Sequence, residues 1–228
     1  MQRAQWVLGW LASAAFLTAL SGCGDKPTTP HQPAAPPGVT KASEIYGPRC
    51  DEVPKSGPGS AEQMATQPAG SAIGTTPLLT RLGIQLRLTG LDQTLDKTDT
   101  GYTVFAPAGE AFKPLSHLVS ELSRLPAASR PPVDPKTALR ALFGYHVVPK
   151  RYSARELASA GAMKTLEGAP LTVSGDGMDL SIGAQHARVL CGNIPTLNAT
   201  VFVIDQVLIP PLSSVMLMPP DKGPGPGR

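Results

Sequence analysis

Cysteines, blocks of like charge and long apolar runs are all scarce in this chain, and each scarcity removes a class of function. The formal charge is only +3, and dropping residues 1–22 removes Arg3 alone and leaves +2. No lysine or arginine cluster interleaved with aromatics stands out against that balance, so the electrostatic footprint of a nucleic-acid binder is missing. Metal-ligand spacing is missing too. His31, His117, His146 and His186 are scattered, and neither Cys-x-x-Cys nor His-x-x-x-His occurs. Asp176 and Asp179 lie around a glycine turn that reads as a hairpin loop rather than a calcium loop. A serine hydrolase needs its nucleophile on a strained turn of the G-x-S-x-G kind. Gly59-Ser60-Ala61 and Gly70-Ser71-Ala72 both lack the second glycine. No phosphate loop and no internal repeat is present.

The apolar run at the start, Trp6 to Leu20, spans about 15 residues, short of the roughly 20 that cross a bilayer, so it reads as a signal peptide over residues 1–22. Leu20-Ser21-Gly22-Cys23 resembles the bacterial lipobox, which implies cleavage before Cys23 and acylation of its sulfur. Acyl chains hold to a membrane by about 0.8 kcal/mol per buried CH₂. Residues 23–45, rich in Pro, Thr, Ala and Lys, are expected to form a tether, and residues 213–228 a disordered Pro/Gly-rich tail. Of the 25 prolines, eight fall between residues 24 and 60 and six from 210 onward, so proline mainly marks the two ends. That leaves residues 46–212 as one domain. With Cys23 acylated, Cys50 and Cys191 remain as an even pair in an exported chain. A bridge between them would contribute roughly 4 to 5 kcal/mol through loop closure. Two buried free thiols are the alternative.

Within the domain, Tyr102-Thr-Val-Phe105 runs into Pro107, and Ala199 to Ile209 ends on Pro210; these read as two strands of one sheet. Ser60-Ala-Glu-Gln63 and Ser153-Ala-Arg-Glu156 have capping-box form and predict short helices. Thr76-Pro77 opens a helix carrying Leu78, Leu79, Leu82 and Leu86. Glu110 to Leu125 reads as two helical pieces parted near Pro114, residues 127–135 as an exposed loop, and Asp134 as the cap of a helix from Pro135 to Phe143. Tyr145-His146-Val147-Val148 is expected as a strand. Met163–Leu166, Leu171–Ser174, Met178–Ile182 and His186–Leu190 follow as short strands. Helices first and strands afterward predict an α+β domain.

Several of these segments resemble the fasciclin domain. Thr103-Val-Phe-Ala-Pro107 through Ala111-Phe112 is similar to its first motif, Tyr145-His146-Val147 to its tyrosine-histidine motif, and Asn198 through Val203-Ile204-Asp205 with Val207-Leu208 to its second. Tyr46-Gly-Pro-Arg-Cys50, Val189-Leu-Cys-Gly192 and Asn198-Ala-Thr-Val201 are closer still to the secreted and lipid-anchored fasciclin antigens of mycobacteria. In those relatives the two cysteines are bridged. The chain departs from them at Ala108-Gly109 and in its proline-rich insertion around residues 126–135.

The resemblance implies a β wedge of about seven strands flanked by short helices, no enzymatic activity and no cofactor, and adhesion to an extracellular or envelope protein or glycan. It also implies display on the extracytoplasmic side of a membrane, at the cell surface or cell wall. In animal relatives integrin contact is tied to the tyrosine-histidine region, here Tyr145 and His146, and to an Asp-Ile pair that aligns with Asn193-Ile194. The missing carboxylate speaks against a metal-dependent contact there. His146, next to a tyrosine on an apolar segment, is expected to be a hydrogen-bonded core residue rather than a base. The Asn198-Ala-Thr200 sequon is read as part of the second motif. An alternative from another class, an envelope small-molecule or lipid carrier, requires an enclosed apolar cavity of a few hundred Å³.

Overall fold

Tyr102–Pro107 forms a strand, β1, buried along its whole length. It lies parallel to β7, Ala199–Ile204, in register from Tyr102 opposite Ala199 to Pro107 opposite Ile204. A strand covered on both faces reads as a continuous apolar run rather than an alternating one, as both of these do. The computed structural model describes residues 36–124 and 134–211, the side chains of residues 118, 119 and 121–123 excepted. The expected signal peptide 1–22, Cys23, the tether as far as residue 35, most of the loop 127–135 and the tail 213–228 lie outside them.

Along the described chain come α1 (Ala61–Met64), α2 (Ala69–Ile73), α3 (Thr80–Thr89), α4 (Leu91–Leu95), β1, α5 (Lys113–Arg124), α6 (Pro135–Gly144), β2 (Val147–Val148) and α7 (Ala154–Ala160). β3 (Ala162–Lys164), β4 (Pro170–Asp176), β5 (Asp179–Ile182), β6 (Ala187–Pro195) and β7 complete it. Short 3₁₀ turns at Ala42–Glu44, Cys50–Glu52, Pro77–Leu79 and Gly109–Phe112 link the elements. The sheet order is β2-β1-β7-β6-β5-β4-β3, and β1–β7 is its one parallel pair. The fold is therefore α+β, with seven strands curled into a near-barrel.

Strand periodicity divides the core in two. Tyr102, Val104, Ala106, Ala199, Val201 and Val203 face the helical side, where Met64, Ile73, Leu82, Leu86, Leu95 and Phe143 cover them. Phe105, Phe202 and Ile204 face the other side, closed by Leu157 of α7 and by Met163, Leu171, Leu180 and Ile182 of the outer strands. The rings of Phe105 and Phe202 stand 5.9 Å apart at the centre of that second core.

Local signals held in part. Ser60 accepts the Gln63 N–H at 3.3 Å, and Asp134 accepts that of Thr137 at 2.9 Å. At α7 the Glu156 carboxylate takes both the Ser153 N–H (2.7 Å) and hydroxyl (2.6 Å). Gly83 sits inside α3 because a Cβ there would come within 2.7 Å of the Gly74 Cα; the helix passes α2's end at backbone distance.

Five expectations are corrected. The ordered domain begins before residue 46: Gly38 donates to Glu156 (3.1 Å), its carbonyl accepts from Thr200 (2.7 Å), and Thr40 is buried. Tether-like composition misled there because these contacts are made by backbone groups. Tyr145 and His146 occupy the turn after α6 rather than a strand, which is limited to Val147–Val148. β6 runs on to Pro195, bulged on either side of Cys191, while His186 (φ 51°) belongs to the turn before it. The strand expected over Ala199–Ile209 ends at Ile204, short of Pro210, because the chain bends at Asp205-Gln206. Helices α2 and α4 were not anticipated; each is only five residues long, too short to show periodicity.

Candidate functional site

The tyrosine-histidine turn hangs on α6. Tyr145 is its C-cap, with the Tyr145 N–H on Ala141 O at 3.0 Å, and the His146 carbonyl accepts the Phe105 N–H of β1 at 2.9 Å. The imidazole is 1% exposed. Its Nε2 accepts the Leu208 N–H at 2.9 Å, and its Nδ1 lies 2.7 Å from Leu142 O. An amide nitrogen only donates, so Nε2 is bare and the proton sits on Nδ1, which donates to the Leu142 carbonyl. Burial then lowers the pKa to about 4, against the opposing pull of the Leu142 carbonyl. His146 is a neutral clasp between α6 and the segment after β7, with no nitrogen left for a substrate. Tyr145 donates its hydroxyl to Pro170 O at 3.2 Å, and burial, followed by the Glu167 carboxylate, holds its phenol above the usual range.

Asn193 and Ile194 do not join that turn. Ile194 is fully buried on the helical side of the core. Asn193 has φ 59°, in the left-handed region that Asn tolerates. Its Oδ1 accepts the Ala154 N–H (2.9 Å) at the start of α7, while Nδ2 donates to Glu44 O (3.2 Å). An aspartate would keep the first bond and lose the second. The amide thus has its own structural account at the position where a carboxylate was sought.

Cys50 and Cys191 form a disulfide across 141 residues of sequence. Around it residues 46–50 run along β6: Tyr46 and Gly192 exchange backbone bonds (3.2 and 2.7 Å), and the Arg49 N–H reaches Leu190 O at 3.0 Å. The Arg49 guanidinium pairs with Glu52 and, at 2.7 Å, with Glu110, so the bridge region is also tied to the turn before α5.

Two clusters escaped the sequence reading. Asn198, a motif member whose task was unassigned, accepts from Ala69 N (2.9 Å) and donates to Leu95 O (2.8 Å) and Lys97 O (2.6 Å). It joins α2, α4 and β7, and being 5% exposed it is closed to glycan attachment. Arg151 donates to Thr200 Oγ1, Leu197 O and Thr196 O, clamping the β6–β7 turn. Neither has a short-range signal, since their partners lie 45 or more residues away.

Among the described residues no group of three or more His, Cys, Asp or Glu side chains could hold a metal ion. Ser181 and His186 are 3.2 Å apart, but on an exposed hairpin rather than in a cleft. A groove of about 250 Å³ beside α5 is lined by Ala111, Pro114, Leu115, Val207 and Ile209, with Glu110 and Asp205 also bordering it. It is mostly apolar and partly open to solvent.

The near-barrel of seven strands with one central parallel pair, its buried tyrosine-histidine turn and its motif-borne asparagine define a fasciclin-type module. The fasciclin-domain family model matches residues 78–210, and the chain belongs to that family. It is 36% identical over 177 residues to the immunogenic protein MPB70 of Mycobacterium bovis, covering 75% of this chain and 84% of that one. It is 34% identical over 229 residues to the cell surface glycolipoprotein MPB83 of the same species, covering 88% and 96%. Among solved structures it resembles a FAS1 domain pair from the insect cell adhesion molecule Fasciclin I. There the TM-score is 0.53 at 12% identity, over 68% of this chain and 55% of that one. At that identity the likeness concerns the fold, and one domain is matched to about half of a pair.

Proposed function

We propose that this protein is a non-enzymatic lipoprotein that displays its fasciclin domain on the extracytoplasmic side of a membrane and binds an extracellular protein or glycan. The observation that carries this reading is the consumption of the family motif by the fold. Tyr145, His146, Asn193 and Asn198 spend their polar groups on backbone partners, so what remains for a partner is the outer surface. The similarity to a cell surface glycolipoprotein supports display, because it reaches well beyond residues 78–210. Cys23 is the residue that would carry the lipid, and the Cys50–Cys191 bridge suits an oxidising compartment. The carrier alternative is less well supported: the apolar groove, at about 250 Å³, is smaller than the roughly 300 Å³ at which ligand pockets begin.

The test is metabolic labelling of the full chain with an alkyne fatty acid, beside surface proteolysis of intact cells and a pull-down from envelope and matrix extracts. Labelling abolished by Cys23→Ala, cleavage on intact cells and recovery of a saturable protein or glycan partner are expected. Absence of label, or recovery of only a co-purifying lipid, overturns the reading.

A further inference from the structure

Away from the motif, the N-terminal end of α6 faces the α3–α4 corner across an open cleft of about 560 Å³. That volume falls inside the range of about 300–1,000 Å³ found for small-ligand sites. The side chains around it include Gln93, Thr94, Lys97, Lys136, Thr137 and Arg140, and none of its lining residues is aliphatic or aromatic beyond the methyl groups of threonine. Such walls, apolar only along the lysine and arginine stems and the threonine methyls, offer little transfer free energy to an acyl chain or an apolar peptide.

Charge narrows the choice further. Lys97, Lys136 and Arg140 face a single carboxylate, Asp134, which is already engaged: it accepts the Thr137 N–H at 2.9 Å and the Thr137 hydroxyl at 3.1 Å. None of the three cations enters an ion pair among the described residues. The Arg140 guanidinium is held in place, and the backbone that carries Lys97 is anchored. Arg140 donates to Thr89 O at 2.7 Å, at the end of α3. The next residue, Gly90, turns the chain with φ +70°, and a Cβ there would stand only 3.7 Å from the Arg140 Nη1. The backbone of Lys97 is fixed by the 2.6 Å bond from Asn198. One bonded guanidinium and two exposed ammonium groups, spread across a polar cleft with hydroxyl and amide groups between them, match acidic groups carried on a polyhydroxylated frame. A bare phosphate would occupy only a small part of this volume.

We propose that the cleft between the α3–α4 corner and the start of α6 binds an acidic saccharide, with Lys97, Lys136 and Arg140 meeting its anionic groups and Gln93, Thr94 and Thr137 its hydroxyls. The inference rests on the surface-contact reading above and names the ligand class and the site.

The experiment is titration calorimetry of the full chain in detergent with an oligogalacturonate tetramer, a neutral glucan tetramer and inorganic phosphate, at two salt concentrations. Saturable binding of the acidic tetramer is expected, weakened by salt and not matched by the neutral sugar or by phosphate. Lys136→Glu, at an exposed position, should weaken it about tenfold with an unchanged unfolding curve, and Lys97→Gln/Lys136→Gln/Arg140→Gln should abolish it. No preference for the acidic tetramer, equal competition by phosphate, or unchanged affinity in Lys136→Glu overturns the site. A pull-down partner retained by the triple variant would show that this site fails while surface contact stands; loss of every partner in the wild type would overturn that reading as well.

Discussion

One ten-residue helix, α6, has ends of opposite character. At its C-terminal end the Tyr145 hydroxyl and both ring nitrogens of His146 are turned toward the protein itself: to the backbone carbonyls of Pro170 and Leu142 and to the amide of Leu208. At its N-terminal end Asp134, Lys136 and Arg140 are exposed and border an open cleft. The comparison shows that the two motif side chains with the most chemistry, His146 and Tyr145, are sealed into the scaffold. The exposed cleft at the other end is lined by residues that belong to no motif.

The largest test of that contrast is His146→Ala, which strands the Leu142 carbonyl and the Leu208 amide and opens a cavity. A loss of about 3 to 4 kcal/mol in urea unfolding is expected. Stability within about 0.5 kcal/mol of wild type would mean that the clasp is dispensable. Next comes pH. The unfolded imidazole titrates near 6.5 and the buried one at about 4, so between those values the unfolded state binds the extra proton and stability rises with pH. The contribution is complete above pH 6.5 and is lost as pH falls toward 4, a span of about 3 kcal/mol. His146→Gln should flatten this slope; an unchanged slope between pH 6.5 and 4.5 would assign it to other groups. Tyr145→Phe removes one hydrogen bond, to Pro170, and should cost about 1 kcal/mol by the same unfolding measurement. Lys97→Gln and Lys136→Gln, at the opposite end, should each shift stability by less than about 0.5 kcal/mol. A larger loss would place those lysines in the scaffold and erase the difference between the two ends.

Much of the scaffold was legible because its signals are local. The apolar runs of β1 and β7 announced a pair of buried strands some hundred residues apart, although only β1 ends at a proline, and Asp134 and Ser60 announced helix starts. The cysteine pair was legible from count and compartment. What could not be read depends on distant chain. Residues 38–44 look like linker because their hold on the domain comes mainly from backbone groups at Gly38 and Glu44, and the need for glycine at 38, where a Cβ would lie 2.4 Å from the Arg151 carbonyl, shows only in the fold. The cations of the cleft come from residues 97, 136 and 140, and they converge only once α3, α4 and α6 are stacked. The partners of His146 were invisible for the same reason: Leu208 lies 62 residues away.

The disulfide also decides how the domain carries mechanical load. For a force applied between residue 36 and residue 211, the shortest covalent route runs from Cys50 through the two sulfurs to Cys191 and onward along β6 and β7. Residues 51–190 lie outside that route as a closed loop, shielded from tension although they hold most of the core. Only the first and last segments are placed under strain, and the contacts that resist it are those of Gly38 with Thr200 and of Tyr46 with Gly192. With the bridge reduced, the same pull would be transmitted through every helix of the domain in turn.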